Sequence, residues 1–124
     1  MYNAKPTIST TLSTDSQLIA LVPKVRMFDG TAVFASAPVY PYITFEEISN
    51  IEGNHADDME IASEVTFRLH VWNTASTSTI AGHINRIMHS LGFGRNYSHD
   101  QDETLESGIS IKHKVMSYTN KYEI

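Results

Sequence analysis

The chain has 124 residues, a hydrophobic fraction of 41%, a charged fraction of 19% and a net charge of −5. That is the length of one domain, spanning 1–124, and a globular composition able to bury about two-thirds of its unfolded surface. The lack of any cysteine excludes disulfides, thiolate metal sites and thiol nucleophiles. No stretch nears the roughly 20 apolar residues of a membrane span, and the N-terminus lacks the apolar core of a signal peptide, so the protein is expected to stay where it is synthesised.

In chain order, residues 6–12 predict a short helix, with Pro6 tolerated in its first turn and Ile8 and Leu12 four apart on one face. Thr14 or Asp15 can cap a second short turn carrying Leu18, Ile19, Leu21 and Val22, which ends before Pro23. Residues 25–28 predict a strand and Asp29-Gly30 a turn. After a loop with Pro38 and Pro41, residues 42–48 predict a second strand, rich in β-formers. Residues 49–61 hold Gly53, Asn54 and several acids without a stable period, and predict a mobile acidic loop.

Residues 63–73 predict the clearest strand. Val65, Phe67, Leu69 and Val71 alternate with Thr66, Arg68, His70 and Trp72, which sets one face on a core. The clearest helix follows: Ser76 or Ser78 can cap it, and Ile80, Ile84, Ile87, Met88 and Leu91 form its apolar stripe before Gly92 closes it. Residues 93–101 predict a strand with a polar rim, 102–108 an acidic turn, and 109–118 a last strand with Ile109, Ile111, His113 and Val115 on one face. The expected fold is α/β in the α+β sense: a central antiparallel or mixed sheet of about five strands with helices packed on one side.

Reactive constellations are missing. His83 and His89 are six apart, about 600° of helical rotation, and do not match the spacing of a helical zinc pair. His70 and His113 lie on strands and can be neighbours, but no acidic third ligand stands out, so no metal is expected. Asp100-x-Asp102 opens like a calcium loop and then fails, with Leu105 at its sixth position and Ile111 at its twelfth. Gly92-Phe93-Gly94-Arg95 follows a helix instead of opening one and is no phosphate cradle. Paired carboxylates, Glu46-Glu47 and Asp57-Asp58, sit in or beside an acidic stretch, and no activated serine motif exists. Neither catalysis nor a cofactor is expected.

Charge placement points instead to contacts. Eleven of the 14 acidic residues fall in two base-free stretches, from Glu46 to Glu64 and from Asp100 to Glu106, which disfavours tight nucleic-acid binding. Glu52, Asp57, Asp58 and Glu60 in the acidic loop are candidate protein-interaction residues. So are Arg68 and Trp72 on the strand face opposite Phe67, since arginine and tryptophan often anchor contacts. The competing expectation for Trp72 is packing under the N-terminal helices.

The order of features is similar to a known pattern. A Pro-containing loop leads into Pro41-Tyr42-Ile43, an acidic Gly-containing loop follows, and a long strand ends Leu69-His70-Val71-Trp72. A Ser/Thr link, a helix closing at Leu91 and two strands about an acidic turn complete the pattern. Over most of its length the chain resembles the tail-completion, or head–tail joining, family of long-tailed bacteriophages and prophages, whose wider relatives include the lambda-type tail terminators. The resemblance implies a tail-terminator-like sheet flanked by helices, monomeric when free and assembling as a ring, a hexamer, on the tail tube. It implies the tail tube protein and the head connector or head-completion protein as partners, DNA crossing the lumen without specific binding, and no membrane contact. The implied location is the virion at the head–tail interface, after assembly in the host cytoplasm. The family carries no catalytic residues to transfer, and the long 49–61 loop departs from its pattern. A small ferredoxin-like ligand-binding or regulatory domain is the alternative function.

Overall fold

Strict alternation along the central strand decides the architecture, because it gives the sheet one apolar face that helices must cover. The computed structural model describes residues 2–53 and 62–123. In chain order they form α1 (Lys5–Thr14), α2 (Ser16–Ile19), a 3₁₀ turn (Lys24–Arg26), β1 (Met27–Asp29), β2 (Tyr42–Gly53), β3 (Ala62–Asn73), α3 (Ser78–Ser90), β4 (Gly94–Asp100), β5 (Glu103–Thr104) and β6 (Ser110–Glu123). The sheet has six strands in the order β1-β2-β3-β6-β4, with β5 also paired to β6. It is mixed: β1 runs parallel to β2 and every other pair is antiparallel.

Ile43, Phe45, Val65, Phe67, Leu69, Val71, Met116 and Tyr118 line the covered face, and all are buried. Ile8 and Leu12 of α1, Leu18 of α2 and Ile80, Ile84, Ile87 and Met88 of α3 pack into the same cluster. Each such side chain contributes about 1.5–3 kcal/mol of burial free energy. The buried Tyr118 hydroxyl donates to Asn85 Oδ1 at 3.1 Å, and burial pushes its pKa up to about 12.

Local signals set the helix ends. Asp15 caps α2 by accepting from the Gln17 and Leu18 backbone N–H groups. Arg86 of α3 donates to both oxygens of that carboxylate, at 3.0 and 2.9 Å, tying α2 to α3. The α3 N-cap is Thr77, which makes no side-chain capping bond; Ser76 Oγ accepts instead from the Ser78 N–H. Gly92 ends α3 at φ 90°, and a Cβ there would lie 2.9 Å from Asn120 Nδ2.

Two expectations are corrected. Residues 49–53, expected as the start of a loop, continue β2 and pair with 62–66 of β3 after a bulge between Glu47 and Ser49; 54–61 lie outside the described residues. The strand expected at 25–28 is a 3₁₀ turn followed by β1. Within the short second turn, Leu18 and Val22 are buried while Ile19 and Leu21 are exposed. Among the described residues, no helix is long and apolar enough to cross a membrane.

Candidate interaction surface

Cross-strand register assembles the opposite face of the sheet. Tyr42 pairs with Trp72, Thr44 with His70 and Glu46 with Arg68. Trp72 in turn faces His113, His70 faces Val115 and Arg68 faces Ser117, and β4 extends these rows with His99 and Tyr97. The packed helices all lie on the other side. Trp72 therefore does not pack under the N-terminal helices, as one expectation had it; the pleat turns it to the face they leave uncovered.

On this face the rings stack in one continuous row. Trp72 stacks on Tyr42 with centroids 4.8 Å apart and on His113 at 4.2 Å. His70 stacks on Trp72 and His113 at 5.2 and 5.1 Å. Phe34 and Phe28 extend the row from Tyr42, at 5.0 Å and 5.1 Å edge to face. The loop carrying Phe34 returns to β2 through a cis Tyr40–Pro41 bond.

Through this stack runs a polar chain. His70 Nδ1 and His113 Nε2 share a hydrogen bond of 2.9 Å, and His70 Nε2 meets Glu46 Oε1 at 3.3 Å. Burial holds the pKa of both imidazoles below 6.5. The Glu46 carboxylate opposes this for His70, while His70 itself adds to it for His113. The acidic partner that the sequence did not reveal is thus Glu46, brought in by register from 24 residues away. It sits on the outer nitrogen of His70, so the three groups form a line and do not converge. Among the described residues, no group of three His, Cys, Asp or Glu side chains is placed to hold a metal ion.

Beside the stack, between β3, β6 and β4, a shallow depression of about 400 Å³ lies over Arg68, His70, Tyr97 and His99. Arg68 Nε is buried there without a hydrogen-bond partner among the described residues. Of the residues expected to make contacts, Arg68 and Trp72 share this face. Glu52 lies at the end of β2, exposed, opposite Ser63; Asp57, Asp58 and Glu60 lie outside the described residues. Sequence reasoning missed Tyr42, Glu46, Tyr97 and Ile51. Period-two alternation places residues on a face, but only register says which of them meet.

A family model described as Tail completion protein gp17 matches residues 6–108. The chain belongs to this family. Its role is accordingly that of a structural protein of the phage tail. The match stops at Gly108, before β6, the strand that carries His113 and joins β4 to the sheet. Among solved structures, one chain from "Virion of native gene transfer agent (GTA) particle" is 12% identical with a TM-score of 0.54, covering 90% of this chain and 89% of that one. That similarity establishes the fold and extends it over nearly the whole length. A search of curated proteins finds no match.

Proposed function

We propose that this tail-completion protein closes the end of the tail tube and joins the tail to the DNA-filled head. Free monomers assemble there into a ring, a hexamer, between the tail tube protein and the head connector or head-completion protein. The family match over residues 6–108 carries this reading. A sheet that, among the described residues, has one uncovered face and two free margins suits a part that works by contact. The net charge of −5 suits a lumen through which DNA passes without binding, since like charge repels phosphate. The protein then resides in the virion at the head–tail interface, after assembly in the host cytoplasm.

Mass measurement and electron microscopy of the purified protein, with and without tail tubes, test this. A monomer alone and a ring at one tube end are expected. Infectious, joined particles produced in the absence of the gene would sink the proposal.

A further inference from the structure

The two margins of the sheet are chemically unlike. β1 pairs only with Ile43, Thr44 and Phe45 of β2, so among the described residues the outer backbone of β2 over 46–53 has no strand beside it. That margin carries Glu46, Glu47 and Glu52 together with Ile48 and Ile51, the latter 57% exposed. At the other margin, among the described residues, β4 pairs with β6 alone and is exposed throughout. It carries Arg95, His99 and Tyr97, the last 49% exposed, and ends at Asp100, whose charge Lys114 of β6 offsets at 2.8 Å. Unpaired strand margins are templates for another strand.

Charge decides which margins fit. Two β2 margins set against each other would bring acid against acid, which is unfavourable across a strand pair. Two β4 margins would leave Ile48 and Ile51 in water. Joining β4 to β2 pairs a base with acids and a ring with an aliphatic side chain. Direction agrees as well: β2 and β6 each run antiparallel to β3, and β4 runs antiparallel to β6. A continued sheet therefore sets β4 antiparallel to the next β2.

We propose that β4 of one copy adds as an antiparallel strand to the free stretch of β2 in a second copy, with Tyr97 against Ile51 and Arg95 against Glu52. Register supports these pairs. Ile51 lies opposite Glu64 and Tyr97 opposite Ser117, both on the helix-free face. The bulge at Asn96 makes Arg95 and Tyr97 occupy consecutive rows, opposite Tyr118 and Ser117. Setting Tyr97 on Ile51 thus sets Arg95 on Glu52, and both of these point to the helix-covered side. An interface between unlike patches repeats head to tail and closes as a ring when its rotation allows. This inference rests on the ring assembly proposed above and names its joint.

The chain has no native cysteine, so thiol trapping is clean. Ile51→Cys and Tyr97→Cys are made singly and together, assembled on tail tubes, oxidised and run on non-reducing denaturing gels. The double variant is expected to give a covalent ladder up to the ring, and each single variant only monomer. In parallel, Arg95→Glu and Glu52→Arg are each expected to lower ring yield about fivefold, and their combination to restore it. Efficient dimers from Tyr97→Cys alone, or no rescue in the combined charge swap, would overturn the pairing. A ring seen by mass without any ladder would overturn the pairing and leave ring assembly standing. Absence of a ring from the wild-type chain on tubes would sink both.

Discussion

The two faces of the sheet are built from the same three long strands and do different things. The helix-covered face is apolar and closed, with Leu69 at its centre fully buried. The other face is made of stacked rings and shared protons around Trp72, with a depression open to solvent beside it. One strand, β3, supplies both through alternation. A fold can thus spend one face on stability and leave the other open without adding a residue.

The largest expected effect lies on the covered face. Leu69→Ala should lower unfolding free energy by about 3–4 kcal/mol, through lost burial and the cavity left behind, measured by urea denaturation. Trp72→Ala on the other face should cost about 2 kcal/mol, because aromatic pairs contribute roughly 0.5–1.5 kcal/mol each beyond area while the ring already has solvent access. Equal losses would show that the helix-free face is as much a core as the other.

A smaller effect is expected at the tie between α2 and α3. Hydrogen bonds from Arg86, then from the Leu18 N–H, hold the Asp15 carboxyl at about 2, against an ordinary 3.8. Asp15→Ala should cost about 1 kcal/mol, the usual value of an N-cap. Because the folded pKa is the lower one, the carboxylate's contribution is complete above pH 3.8 and is lost as pH falls through about 2. Urea midpoints of wild type and Asp15→Ala should therefore converge across that window; a constant difference would assign the effect to helix propensity instead of the ionised cap.

Much of this was legible in the sequence. Ile8 and Leu12, the alternation over Val65–Phe67–Leu69–Val71 and the stripe from Ile80 to Met88 are local patterns, and the core follows them. The cap at Asp15 and the close at Gly92 were readable for the same reason: each depends on a few neighbouring residues. The candidate contact surface was only half legible. Arg68, His70 and Trp72 fall on one face by parity, yet Tyr42, Glu46 and His113 join them through strand register, which bulges at Glu47/Ser49 and Arg95/Tyr97 shift by a residue. The extension of β2 past Ser49 was hidden because Asn50, Glu52 and Gly53 are poor strand formers, and pairing with β3 outweighs that preference.

The smallest energetic change, and the one that most directly separates the two faces, is the response to acid. Burial keeps His70 and His113 neutral in the fold below their ordinary 6.5, with Glu46 and Arg68 acting on the first and His70 and Glu103 on the second. An unfolded chain takes up protons on both near 6.5, so stability is highest above that pH and declines as pH falls through it toward the lower folded values. His113→Phe keeps a ring in the stack, removes one proton site and relieves His70 of a neighbour, so its urea midpoint should fall less over the same pH range. The single tryptophan provides a second readout, since a protonated imidazole stacked on indole quenches it. Emission should drop with acid in the wild type and hold steady in His113→Phe, whereas replacing the exposed His89 should leave the wild-type response unchanged. If His113→Phe titrates like the wild type, the stacked imidazoles do not set the acid response, and the contrast in acid between the ring-stacked face and the helix-covered face collapses.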